Sequence, residues 1–186
     1  MVGKTGWSLK RTIVMVGMMG SGKTAIGKEL ANRLGVAFLD SDAEIEAAAA
    51  MSISEIFERD GEAFFRNRES EVIGRLLDAP SAVRSTGGGA FLFERNRDLI
   101  SRKGVSVWLK ADLALLWSRV KHKDTRPLLR TSDPYQTLAT LYEQRVPIYE
   151  MADIHVQARA SYTIGTMVDK VIDALERQPD VLERRG

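Results

Sequence analysis

The sequence predicts an α/β fold in which parallel strands, linked by helices, form one sheet covered on both faces. Three observations carry that expectation. Short β-rich runs alternate with longer helical patterns along nearly the whole chain. Several of the short runs are apolar without alternation, as strands buried on both faces are. The first run also leads directly into a glycine-rich turn that opens a helix.

In order, the first strand is TIVMV, 12–16, followed by the loop GMMGSGKT, 17–24, and a helix over 23–34. A strand at 36–39 precedes a segment beginning AEIEAAAA, whose alanine run suits a helix. A long helix covers 53–77, with a break near Gly61, and leads to a strand at 82–85. Then come a helix at 93–102, a strand at 105–109 and a helix at 113–120. The stretch KHKDTRPLLRTSDP, 121–134, is polar, has two prolines and lacks a helical period. Loops of that length inside compact domains are usually functional or disordered, so a mobile lid is expected there. A helix at 135–149, which Pro147 should end or kink, a strand at 154–156 and a covering helix at 164–177 complete the series. The chain thus reads as an N-terminal extension, 1–11, a single domain, 12–178, and a frayed charged tail, 179–186.

The totals narrow the function classes. With 186 residues, 44% hydrophobic and 28% charged, the chain can bury one real core. Lys plus Arg number 27 and Asp plus Glu 25, so no global field draws the protein to nucleic acid or to a membrane. There are no cysteines, which excludes disulfides and thiolate metal sites and fits a reducing cytoplasm. The first residues lack the apolar run of a signal peptide, and no segment approaches transmembrane length.

GMMGSGKT fits G-x-x-x-x-G-K-[ST] and lies between an apolar strand and a helix, the setting that the motif requires. Gly17, Gly20 and Gly22 let the backbone curl so that successive N–H groups, that of Ser21 among them, point at phosphate oxygens. The positive end of the following helix faces the same anion. Lys23 would reach the β- and γ-phosphates and Thr24 would ligate magnesium. A nucleoside triphosphate is the expected ligand.

Many proteins with this loop hold magnesium with an aspartate at the end of a neighbouring strand. After the strand at 82–85 that aspartate is missing, and RSTGGGA, 84–90, puts three glycines there. The nearest carboxylates are Asp40 and Asp42, after the strand at 36–39 and so on the same carboxyl-end rim. Ser41 or Asp42 could equally be a helix cap, and the motif leaves the two readings even. Gly87, Gly88 and Gly89 would let a small acceptor lie against bare backbone with no Cβ in the way. Arg66 (in FFRNRE), Arg126 (in TRPLL) and Arg145 (in RVPIYE) each read singly as a solvated charge, Arg66 with a surface ion pair to Glu69. Arginine also suits carboxylate and phosphate recognition through its fixed fork of donors.

Taken in order, GMMGSGKT, LDSD, FFRNRE, STGGGA, RPLL and RVPIYEMA resemble the shikimate kinase family over residues 11–176. The resemblance implies a three-layer P-loop fold with a five-stranded parallel sheet flanked by helices, plus a lid loop. It implies transfer of the γ-phosphoryl group of ATP to the 3-hydroxyl of shikimate, with magnesium, in chorismate biosynthesis, by a cytoplasmic monomer. By resemblance, Gly20, Ser21, Gly22, Lys23, Thr24, Arg119 and Arg126 bind ATP, with Arg119 against the adenine. Asp42, Arg66, Gly87, Gly88, Gly89 and Arg145 bind shikimate, with the substrate segment at about 42–77 and the two arginines on its carboxylate. Thr24 and Asp40 hold magnesium, and Lys23, Asp42 and Arg126 act in catalysis. The match loosens at 157–161, QARAS, where relatives close the adenine site with a different turn. Two alternatives remain: a kinase of the same fold with another acceptor, such as gluconate, and a non-catalytic nucleotide-binding module.

Overall fold

The computed structural model describes residues 6–123 and 129–186. Its main sheet has five parallel strands in the order β3-β4-β2-β5-β6. These are β2 (Thr12–Val16), β3 (Phe38–Asp40), β4 (Val83–Ser85), β5 (Gly104–Lys110) and β6 (Ile154–Gln157). Ile13 sits in register with Val83 on one side and Val105 on the other. Every residue of β2 is buried, which is why its sequence shows no polar alternation.

The helices are α1 (Lys23–Leu34), α2 (Ser41–Ala49), α3 (Ile53–Asp78), α4 (Glu94–Lys103), α5 (Leu113–Val120), α6 (Pro134–Tyr149) and α7 (Ile164–Glu176). Helix α1 packs on α7 and against β3 and β4, while α3 packs on α4 and α4 on β5. Helix α3 breaks where expected, with Gly61 at φ 83° and ψ 168°. Helices α2 and α3 share a second, smaller core of Ile45, Ile56, Phe65, Val72 and Leu76. The segment between β3 and β4 therefore carries packing of its own.

The structure departs from the sequence expectations in three places. Pro147 does not itself end α6, which runs two residues past it to Tyr149. Described residues of the expected extension and of the expected tail are ordered rather than loose. Strand β1 (Trp7–Leu9), inside the expected extension, pairs antiparallel with β7 (Leu182–Arg184), inside the expected frayed tail. Val181 and Leu182 are buried there, Trp7 Nε1 donates to Glu176 Oε1 at 2.6 Å, and Lys10 pairs with Glu183. Apolar burial and strand pairing offset the entropy that a free tail would keep. The third departure, at Asp40, belongs to the site.

Candidate active site

Because β3, β4 and β2 are neighbours, their carboxyl ends bring Asp40, the triple glycine and the first glycine loop to one rim. In the first loop Gly17, Gly20 and Gly22 take φ of 145°, 83° and 93°. Side chains rarely adopt those values, and Gly22 so placed opens α1 without a capping side chain. Lys23 Nζ donates to the carbonyls of Gly17 (2.8 Å) and Met18 (3.1 Å), curled over its own loop. Ser21 Oγ is buried with no hydrogen-bond partner, and Thr24 lies exposed in the first turn of α1. Arg119 comes to the same loop: its Nη1 donates to the Gly20 carbonyl at 3.0 Å. Arg126 lies outside the described residues.

Asp40, and not Ser41 or Asp42, caps α2. Its Oδ1 accepts from the N–H groups of Asp42 (2.9 Å) and Ala43 (3.2 Å), which satisfies two donors at the helix start. The cap uses one oxygen, so capping and metal binding do not exclude each other at Asp40. With Asp40 as cap, Asp42 stands in the first turn of α2 with its carboxylate turned to the triple glycine.

All three glycines there have φ outside the positive range, so backbone conformation does not demand them. Space does. A Cβ on Gly87 would lie 2.7 Å from Asp42 Oδ2, one on Gly88 3.1 Å from Arg145 Nη1, and one on Gly89 2.6 Å from Arg66 Nη2. Three functional side chains from α2, α6 and α3 thus converge on three successive residues. The sequence explanation, that the glycines bare the backbone for an acceptor, is incomplete: they first make room for the groups around it.

The electrostatics follow from burial. Asp42 Oδ1 is buried without a partner, and its carboxyl is pushed up to about 6. Burial is the main cause, Asp40 and Glu69 add to it, and Lys23 opposes. Glu69 is also raised by burial, against the pull of Arg66. Arg66 Nη1 donates to Glu69 Oε1 at 2.9 Å, and its guanidinium carbon lies 5.2 and 5.0 Å from the ring centres of Phe65 and Phe93. The pair is not the surface bridge that spacing suggests, since Glu69 is only 1% exposed. Arg145 is likewise buried. A half-buried and a buried arginine facing a partly buried carboxylate suit an acidic acceptor with hydroxyl groups.

Sequence reasoning missed two residues here. Tyr149, fully buried, donates its hydroxyl to the Gly88 carbonyl at 2.6 Å. Asn96 Nδ2 donates to the Ala90 carbonyl at 2.9 Å. The available signal for Tyr149 was its position four residues after Arg145 on one helix face; nothing marked Asn96. Among the described residues no cluster of three His, Cys, Asp or Glu could hold a metal ion.

Comparison with known proteins agrees with this geometry. The family model described as shikimate kinase matches residues 19–176. The curated shikimate kinase of Ruegeria pomeroyi is 67% identical over 176 residues, covering 95% of this chain and 90% of its own. A solved shikimate kinase from Acinetobacter baumannii, in complex with shikimate, superposes with a TM-score of 0.80 at 37% identity, over 90% of this chain and 92% of that one. A gluconokinase from Sinorhizobium meliloti, at 20% identity and a TM-score of 0.60 over 91% of this chain and 93% of that one, shares the fold alone. With a P-loop facing a triple-glycine loop ringed by Asp42, Arg66 and Arg145, and with relatives this near, the chain belongs to the shikimate kinase family.

Proposed function

We propose that the protein transfers the γ-phosphoryl group of ATP to the 3-hydroxyl of shikimate, giving shikimate 3-phosphate and ADP for chorismate biosynthesis. The observation that carries the residue assignment is the convergence of Asp42, Arg145 and Arg66 on Gly87, Gly88 and Gly89. Arg66 and Arg145 would grip the ring carboxylate, each presenting a fork of donors with little reorganisation. Asp42 would accept from the attacking hydroxyl.

Phosphoryl transfer asks the protein for position and charge neutralisation. The 3-hydroxyl oxygen forms its bond to the γ-phosphorus as the bond from phosphorus to the ADP oxygen breaks. Asp42 orients that hydroxyl and takes its proton late in the step. Lys23 leaves the carbonyls of Gly17 and Met18 for the phosphates, and the amides of Gly20, Ser21 and Gly22 add fixed dipoles. Arg119 lies against the adenine. Arg126, on the lid at about 121–134, would close over the phosphates and exclude water.

Magnesium fits the donor set. Thr24, exposed in the first turn of α1, and Asp40, whose cap uses only Oδ1, supply hard oxygen ligands, and phosphate and water would complete the ion. Bound there, it would neutralise phosphate charge. The working unit is a monomer in the cytoplasm built on one domain that includes the β1–β7 pair, with its substrate segment at about 42–77. The absence of cysteines supports the compartment, and among the described residues no helix is long and apolar enough to cross a membrane.

ADP release followed with ATP, magnesium and one acceptor at a time tests the reading. Strong stimulation by shikimate, with none by gluconate or a nucleoside monophosphate, is expected. The reverse pattern would replace the acceptor, and no stimulation by any would leave a nucleotide-binding module.

A further inference from the structure

The three glycines that make room for Asp42, Arg145 and Arg66 leave a weakness behind. A peptide flanked by glycines flips at little cost, because neither residue has a Cβ to restrict φ and ψ. The Gly88–Gly89 peptide is such a unit. Its orientation matters, since the N–H groups of Gly88 and Gly89 donate to nothing among the described residues and are free to meet a ligand. In a trans peptide the carbonyl and the following N–H point in opposite directions. Whatever holds the Gly88 carbonyl therefore aims the Gly89 N–H.

Tyr149 holds that carbonyl. Its hydroxyl donates to Gly88 O at 2.6 Å, and the side chain is fully buried. The ring has its centre 6.1 Å from that of Trp108 and 6.4 Å from that of Phe91, so the hydroxyl cannot swing away without repacking. The Arg145 guanidinium acts on the same oxygen, opposing the effect of burial on the phenol. Burial raises the phenol further above its ordinary range, so it stays a neutral donor throughout the working pH range. The contacts form a chain: Arg145 and Tyr149 meet at Gly88, where a Cβ would lie 3.1 Å from Arg145 Nη1 and 3.8 Å from the Tyr149 hydroxyl, and Tyr149 donates to the Gly88 carbonyl. One end of that chain is an acceptor-gripping guanidinium and the other is the wall on which the acceptor lies.

We propose that Tyr149 is a positioning residue for phosphoryl transfer, locking the Gly88–Gly89 peptide so that its N–H faces the acceptor and coupling that lock to Arg145. The proposal rests on the assignment of Arg145 and the triple glycine to the acceptor site. The hydroxyl touches no reacting atom; it acts through the peptide and the guanidinium.

The test is Tyr149→Phe, which keeps the ring and removes the hydroxyl, assayed beside the wild type, Arg145→Ala and the double variant. Loss of one pinning hydrogen bond is expected to raise the shikimate KM about tenfold. The KM for ATP should stay within about twofold, the scatter expected of a site with no direct contact. In the Arg145→Ala background the same change should have a clearly smaller effect, because the chain is already cut. A wild-type shikimate KM in Tyr149→Phe, equal rises in both KM values, or full additivity with Arg145→Ala overturns the proposal. If the wild type ignores shikimate, or Arg145→Ala leaves its KM unchanged, the acceptor assignment fails instead. Should Tyr149→Phe not fold, proton NMR of the wild type decides. A slowly exchanging, downfield tyrosine hydroxyl that shifts on adding shikimate is expected, and its absence contradicts the lock.

Discussion

The two glycine loops on the rim of the sheet use the same residue for opposite reasons. In the first, Gly17, Gly20 and Gly22 sit at φ of 145°, 83° and 93°, and the backbone shape itself is what the nucleotide needs. In the second, no glycine has a positive φ, and each is small because a named side chain fills the place of its Cβ. The first loop takes its shape from its own backbone: its lysine bonds two of the loop's carbonyls, and Arg119 joins it from α5. The second depends on α2, α3 and α6 for every group that gives it chemistry. The loop that cradles the phosphates is one continuous stretch of chain, whereas the side chains around the acceptor wall lie up to more than 100 positions apart (Asp42 to Arg145). Acceptor specificity is the more easily altered of the two.

The largest effect should come from the residue that crosses between the loops. Asp42→Asn should lose about two to four powers of ten in turnover, the usual span for a placed base, with ATP binding unchanged in an equilibrium titration. Wild-type turnover would remove Asp42 from the chemistry.

The same variant tests the electrostatic cause. The folded carboxyl sits at about 6, above its ordinary 3.8, so its contribution to stability is full below 3.8 and is lost as pH rises through about 6. Asparagine, always neutral, should therefore make the ligand-free, metal-free protein more stable at pH 7.5, by up to about 3 kcal/mol. The gap should close near pH 4 in urea melts. A gap of constant size across that range would mean that burial of charge is not its origin.

Glycine replacement separates the loops directly. Gly20→Ala meets both obstacles, a left-handed backbone and Val120 Cγ1 at 2.7 Å, and should cost about 1–3 kcal/mol of stability. Gly89→Ala meets only the end of a flexible arginine, so its thermal midpoint should stay close to that of the wild type. Its shikimate KM should rise about tenfold as Arg66 is pushed aside, the equivalent of one charged hydrogen bond. If Gly89→Ala unfolds the protein while Gly20→Ala does not, the contrast between conformation and space is wrong.

How far all this was readable in the sequence differs between the loops in the same way. The P-loop is a local pattern with a local cause, and strand, loop and helix at 12–34 fall where the motif and apolar run put them. The other strands and helices follow from periodicity to within two residues. The LDSD pair was ambiguous because a cap and a metal ligand ask for the same residue type, and only the backbone shows that Asp40 is the cap. The strand pair β1–β7 was missed because each partner has three residues and the partners lie at opposite ends of the chain. The burial of Glu69 and the contact from Tyr149 to Gly88 are tertiary facts: a glutamate carries no mark of burial, and the spacing of Tyr149 from Arg145 gives a shared face but not the partner.

The central claim is that the triple glycine, with its three convergent side chains, is the wall of the acceptor site. A crystal structure with shikimate and a non-hydrolysable ATP analogue measures it most directly. The account predicts the ring against Gly88 and Gly89, its carboxylate on Arg66 and Arg145 and its 3-hydroxyl on Asp42. Shikimate bound elsewhere, or bound there with its carboxylate away from both arginines, would contradict it.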